Sequence, residues 1–185
     1  MKTKLSSLFI LFIIVFGINS VKSQTRNSQL DSLFQILDAN NQAMGSLAIF
    51  KDDKLVYKNA IGFKNFADSI PADTHTLYKI GSVTKTYTAI LIMQLVEKDK
   101  LQLDQKLSEF YPQVTNAESI SIDMLLKHRS GIFNFTAEKG YLNRAQEPAS
   151  KQEILERIFS YKSDFEPGSQ FQYSNSNYLL LTFIL

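Results

Sequence analysis

The chain has 185 residues, 44% of them hydrophobic, a formal net charge of +2 and no cysteine. That length supplies about one domain with a sizeable core. The missing cysteines exclude disulfides, thiol chemistry, cysteine-based metal sites and a lipid-modified N-terminal cysteine.

The first residues carry an export pattern. Lys2 and Lys4 precede an uncharged apolar run from Leu8 to Ile18, and Val21-Lys22-Ser23 puts a small residue at the cleavage point. The run is short of the ~20 residues a transmembrane helix needs. We read residues 1–23 as a signal peptide cleaved between Ser23 and Gln24, and the protein as exported, periplasmic or secreted. An uncleaved anchor is the alternative reading. Cleavage removes three lysines and no acid, turning +2 into −1. The mature chain then has no basic footprint for nucleic acid and no stable membrane span.

Residues 24–43 read as a polar leader followed by an amphipathic helix, with Leu30, Leu33, Phe34 and Leu37 on one face and a stop near Asn40-Asn41. Leu47 to Phe50 and Leu55 to Ala60 are predicted strands around the polar turn Lys51-Asp52-Asp53-Lys54, which lacks the usual glycine. Gly62 to Lys79 reads as a loop punctuated by Pro71 and Asp73.

That loop delivers the chain to Gly81-Ser82-Val83-Thr84-Lys85, which opens a long helix through Ile90, Leu91, Ile92, Met93, Leu95 and Val96. A helix apolar on nearly every face is expected to be buried on nearly every face. Ser82 and Lys85, three residues apart, share a helical face with Cβ atoms roughly 5–6 Å apart. Desolvation and the positive end of the helix dipole both disfavour an ammonium there. A neutral amine beside a hydroxyl can take its proton, which makes serine a usable nucleophile. The spacing alone is weak, because a Ser-x-x-Lys occurs about once by chance in a chain this long.

Beyond that helix, Leu103, Leu107 and Phe110 make a short amphipathic turn ended by Pro112. Ser121 is placed to cap a helix through Leu125 and Leu126 that gives way at Gly131. Ser150 and Glu153 spell a capping box before Ile154, Leu155, Ile158 and Phe159. Pro167-Gly168 marks a turn, Tyr173-Ser174-Asn175 follows, and Tyr178 to Leu185 starts an apolar helix. The chain stops there with no cap and with too few strands for a sheet, so it reads as the front part of a longer protein, poorly folded and inactive alone.

Tyr-x-Asn also occurs at Tyr57-Lys58-Asn59 and Tyr141-Leu142-Asn143. Tyr57 falls inside a predicted strand and Tyr141 in an irregular polar segment. Tyr173 alone follows a Pro-Gly turn and precedes a helix, where a loop can present its hydroxyl. His128 ends a short helix and is read as capping its carbonyls. His75 is in a loop, and two isolated histidines make no metal site. Asp73 and Asp104 are read as turn and cap residues, since no Gly-x-Ser-x-Gly elbow is present.

Taken together, Asp73-Thr74, Gly81 to Lys85, Leu101-Gln102-Leu103-Asp104, Leu125 to Ile132, and Phe165-Glu166-Pro167-Gly168 through Tyr173-Ser174-Asn175 resemble, in order, the serine β-lactamase and penicillin-binding superfamily, in its class C-like branch. The resemblance covers most of residues 44–185. It implies an α/β (α+β) fold of β-lactamase/transpeptidase type: an antiparallel sheet flanked by helices plus a helical subdomain, truncated before the later strands. It also implies roles. Ser82 would be the acyl-accepting nucleophile, with its N–H as half of the oxyanion hole, and Lys85 its base or proton relay. Tyr173 would be the second acid/base group and Asn175 would bind the substrate's amide side.

The departures are few. The family's later Lys/His-x-Gly strand is absent, Arg129 stands where threonine is usual, and Asp99 where glycine is usual. Class A enzymes have Ser-Asp-Asn and a later Glu-x-x-Leu-Asn; Glu138 to Asn143 is one residue too long for it and precedes Tyr173. The expectation is a serine acyl hydrolase working through an acyl-enzyme on a small-molecule or peptide substrate with an acyl or amide bond, without cofactor. A β-lactam or peptide sensor that acylates without turnover is the alternative, and an inactive fragment the third reading. Substrate identity and oligomeric state stay open.

Overall fold

The computed structural model describes residues 27–185, so the expected signal peptide and cleavage point lie outside the described residues. The described chain forms two compact units, one ending at Lys79 and one starting at Ile80. None of the helices in the described residues is long and apolar enough to cross a membrane.

In the first unit, helix α1 (Ser28–Ala39) begins where the Asn27 side chain accepts the Leu30 N–H at 3.2 Å, a hydrogen bond that occupies one orphan donor of the first turn. Strands β1 (Gly45–Lys51) and β2 (Lys54–Ile61) pair antiparallel, from Gly45 opposite Ile61 to Lys51 opposite Lys54. The hairpin turns without glycine because Asp52 and Asp53 both take the left-handed conformation, at φ 50° and 57°. Aspartate is among the few residues that tolerate this, and two such residues match the twist of a two-residue hairpin. Tyr57 is buried on β2, and α1 packs against that strand.

The segment from Gly62 to Lys79 is more ordered than a loop. Strands β3 (Phe63–Asn65) and β4 (Ile70–Pro71) pair antiparallel. Asn65 holds their reversal, accepting the Asp68 N–H and donating to the Asp68 carboxylate. Both strands are exposed on every residue, so no buried face exists to write an alternation into the sequence.

The second unit is helical. A 3-10 turn at Gly81–Val83 runs directly into α2 (Thr84–Glu97). Short α3 (Ile122–Leu126) is capped by Ser121, whose Oγ accepts the Met124 N–H at 3.2 Å. Residues 141–144, expected to be irregular, form one helical turn, α4 (Tyr141–Arg144). Helix α5 (Lys151–Ser160) has the predicted capping box: the Glu153 N–H donates to Ser150 Oγ, and the Ser150 N–H to Glu153 Oε2 at 2.6 Å. Helix α6 (Asn175–Ile184) packs against both α2 and α3. Ile92, Leu107, Ile120, Ile122, Leu125, Ile158, Leu180 and Leu181 are fully buried and form one core.

One expectation fails here. Helix α2 buries only Thr88 and Ile92, while Ile90, Leu91 and Met93 stay 50%, 47% and 46% exposed. Its side along Thr88, Ile92, Leu95 and Val96 meets the core, and within the described residues nothing encloses the remainder. An all-round apolar helix announces that it can be buried, but not which faces are covered.

Candidate active site

The 3-10 turn at Gly81–Val83 places Ser82 two residues before Thr84, where α2 begins, and Lys85 falls in the first helical turn. Gly81 has φ 52°, the left-handed conformation that glycine takes at little steric cost. The helical spacing brings Lys85 Nζ to 3.3 Å from Ser82 Oγ. Ninety-one residues along the chain, the loop before α6 returns Tyr173, whose hydroxyl lies 2.8 Å from Ser82 Oγ. Asn175, the first residue of α6, accepts from Lys85 Nζ at 2.7 Å and from the Tyr173 hydroxyl at 3.4 Å. The structure thus gathers all four of the residues singled out above, Ser82, Lys85, Tyr173 and Asn175, around one hydroxyl. Tyr141 and Asn143, the competing Tyr-x-Asn pair of this unit, occupy α4 instead.

The polarity of Asn175 is fixed from outside. Asn134 Oδ1 accepts the Asn175 main-chain N–H at 3.0 Å, so that atom is the oxygen. The Thr136 hydroxyl donates to the same oxygen at 3.0 Å and must therefore accept from Asn175 Nδ2, at 2.8 Å. With its nitrogen facing Thr136, Asn175 turns its oxygen to Lys85. The amide is spent within the protein, a task beyond the substrate contact the resemblance implies. Asn134 and Thr136 carried no signal in the sequence, because their partner stands 41 and 39 residues away.

Charge completes the arrangement. Burial would raise the Tyr173 phenol, but hydrogen bonds with Lys85 and Ser82 and the charge of the Lys85 ammonium outweigh it, so its pKa lies below the ordinary tyrosine value. Lys85 Nζ also sits 5.1 Å from the Tyr173 ring centroid and 5.8 Å from that of Tyr178, within cation–π range. A phenol lowered in this way can accept a proton from the serine hydroxyl beside it. Beside them a cleft of about 260 Å³ is walled by Lys85, Thr88, Phe135, Asn175, Leu179 and Thr182, among others.

His128 departs from its expected role. Its main chain has φ 55° at the end of α3, but its ring caps no carbonyl. Instead Nδ1 accepts the Ser174 N–H at 3.2 Å, and the ring lies 4.5 Å from that of Tyr173 and 5.1 Å from that of Tyr178. A helix-end cap involves neighbours in sequence, whereas Ser174 is 46 residues away. Asp73, in the first unit, is a turn residue as read: its carboxylate accepts the His75 N–H at 2.7 Å and pairs with Lys64 at 3.3 Å.

The comparisons with known proteins agree with this geometry on family and fold. The Beta-lactamase family model matches residues 30–185, and the chain belongs to that family. It is 28% identical to the teichoic acid D-alanine hydrolase of Staphylococcus aureus over 141 residues, covering 76% of this chain and 34% of that protein. The chain therefore spans about a third of the length of the curated relatives it matches. Among solved structures, it resembles the D-amino acid amidase of Ochrobactrum anthropi SV3 at 26% identity and a TM-score of 0.68, over 82% of this chain and 46% of that one. It also resembles a penicillin binding protein of Bacillus halodurans at 28% identity and a TM-score of 0.65, over 80% and 46%. The fold is the mixed α/β, β-lactamase-like one.

Proposed function

We propose that the full-length protein is an exported serine hydrolase that cleaves D-aminoacyl esters or amides through an acyl-enzyme on Ser82. The observation that carries this reading is the 2.8 Å contact between Ser82 Oγ and a Tyr173 hydroxyl whose pKa is lowered by its neighbours. The substrate class is suggested by two relatives, one named for removing D-alanine from teichoic acid and one for hydrolysing D-amino acid amides. Export rests on the pattern of residues 1–23.

The steps follow from the hydrogen bonds. Tyr173 as phenolate accepts the Ser82 proton while Oγ bonds to the substrate carbonyl carbon. The Ser82 N–H receives part of the charge that develops on the carbonyl oxygen. Tyr173 then passes its proton to the departing alcohol or amine, and the carbonyl reforms as a Ser82 ester. In the second half Tyr173 takes a proton from water, whose oxygen displaces Ser82, and returns that proton to Oγ. Lys85, held on Asn175, keeps its charge or its proton within reach of both oxygens throughout.

The test is to incubate the full-length protein with a fluorophosphonate and then with a D-alanyl ester. The reading expects a stoichiometric adduct on the peptide containing Ser82, and ester turnover that the adduct abolishes. Labelling of another peptide, or turnover that survives the adduct, would overturn it.

A further inference from the structure

His128 is the buried titratable group that the steps above leave unused. It holds the Tyr173 segment twice. Its main-chain carbonyl accepts the Gln172 N–H at 3.0 Å, and its Nδ1 accepts the Ser174 N–H at 3.2 Å. The amides on both sides of Tyr173 are therefore tied to one residue, and the ring of that residue lies 4.5 Å from the phenol ring it flanks. Phe171 closes on the imidazole edge-on at 6.2 Å.

Accepting a hydrogen bond at Nδ1 puts the ring proton on Nε2 and requires the neutral form. The groups of charge or titration that face the ring are Lys85 from α2, Tyr173 from the loop and Tyr178 from α6. No carboxylate among the described residues acts on it to favour a cation. Burial, then the Lys85 ammonium, keeps His128 below its ordinary pKa. A second proton would turn the Nδ1 acceptor into a donor facing another donor, with a new positive charge near Lys85.

We propose, on the reading of Ser82 and Tyr173 given above, that His128 is a positioning residue whose carbonyl and neutral ring clasp the two amides flanking Tyr173 and set the phenol against Ser82, and that acid releases this clasp. The inference differs from a purely structural role because it ties the geometry of Tyr173 to one proton.

Two substitutions separate the functions of the ring. Asparagine at 128 presents Oδ1 near where Nδ1 stands, tolerates the left-handed main chain and does not titrate. Phenylalanine keeps a ring but leaves the Ser174 N–H buried without an acceptor. The rate of Ser82 labelling by a fluorophosphonate is measured in full-length protein from about pH 8 down to about pH 5. Titration of Tyr173 is common to wild type and His128→Asn, so it cancels in the ratio of their rates.

That ratio should be within about threefold of one at pH 8 and rise about tenfold in favour of His128→Asn by pH 5. His128→Phe should label about tenfold more slowly than wild type at pH 8, as expected for an orphaned buried donor, and approach wild type in acid, where the wild-type clasp is itself released. A flat ratio, or His128→Phe equal to wild type at pH 8, would overturn the proposal. A second readout does not depend on activity: by NMR, the Ser174 amide should shift with the His128 titration in wild type and stay still in His128→Asn. If Ser82 is not the labelled residue, the hydrolase reading fails, and the Ser174 amide still decides the clasp. An amide unmoved across the His128 titration would refute it.

Discussion

Tyr57-Lys58-Asn59 and Tyr173-Ser174-Asn175 are the same motif in two surroundings. In the hairpin, Tyr57 is 4% exposed, donates its hydroxyl to the Asp31 carboxylate at 3.0 Å and accepts from Asn59 Nδ2 at 3.1 Å. Burial raises its pKa and outweighs the Asn59 hydrogen bond, which lowers it; the Asp31 carboxylate raises it further. In the helical unit, Tyr173 is 42% exposed, faces the Lys85 ammonium and Ser82, and its pKa falls. A phenol paired with a carboxylate is locked as a donor. A phenol paired with an ammonium and a hydroxyl is prepared to accept. The motif does not carry the chemistry; the charged partner outside it does, Asp31 for Tyr57 and Lys85 for Tyr173.

The largest effect should come from removing the hydroxyl that both Tyr173 and Lys85 reach. Ser82→Ala in the full-length protein is expected to abolish labelling and lower ester turnover by roughly 10⁴–10⁶-fold, the scale of losing a nucleophile. Steady-state assays check this, and retention of a tenth of the activity would place the nucleophile elsewhere.

Tyr173→Phe should cost about 10²–10⁴-fold, the usual worth of a proton-transfer group. Lys85→Arg should fall in the same range, since guanidinium keeps a charge but has neither the shape nor the proton lability of an amine. On the proposed reading, in which the phenolate is the active form, wild-type kcat/KM should rise with pH through the Tyr173 ionisation, with a midpoint below the ordinary tyrosine value. An acid form more active than the basic one would reverse the assigned role.

Asn134→Ala and Thr136→Val sharpen the comparison by loosening Asn175 while leaving Lys85 and Tyr173 in place. Each should lower labelling by about tenfold, near the net worth of one or two hydrogen bonds, with little change in the melting temperature. Tyr57→Phe should be the smallest change of all, leaving labelling at wild-type rate while removing the tie between β2 and α1. Loss of labelling there would erase the distinction between the two tyrosines.

What could be read from sequence was local. Ser82 and Lys85 are one helical step apart, and Ser121, Ser150 and Glu153 act on N–H groups within three residues. Their geometry is set by spacing, so it was legible. The order of five motifs carried Tyr173 to the same site by resemblance. The parts that stayed hidden are those whose partners are remote: Asn134 and Thr136 beneath Asn175, and His128 beneath Tyr173. The bare side of α2 is hidden for a related reason. Apolar residues at Ile90, Leu91 and Met93 state a capacity for burial, and the chain that satisfies it is not encoded in the helix. Strands β3 and β4 have no buried face, and so no period to detect.

The account rests most directly on the opposite ionisation of the two tyrosines. Full-length protein with isotope-labelled tyrosine can be titrated by NMR, with Tyr57→Phe and Tyr173→Phe assigning the two signals. The structure predicts that Tyr173 ionises below the ordinary tyrosine value and Tyr57 above it, and that Lys85→Met returns Tyr173 toward the ordinary value without moving Tyr57. A Tyr173 that ionises at or above Tyr57 would contradict the claim that this phenol is prepared as the base for Ser82.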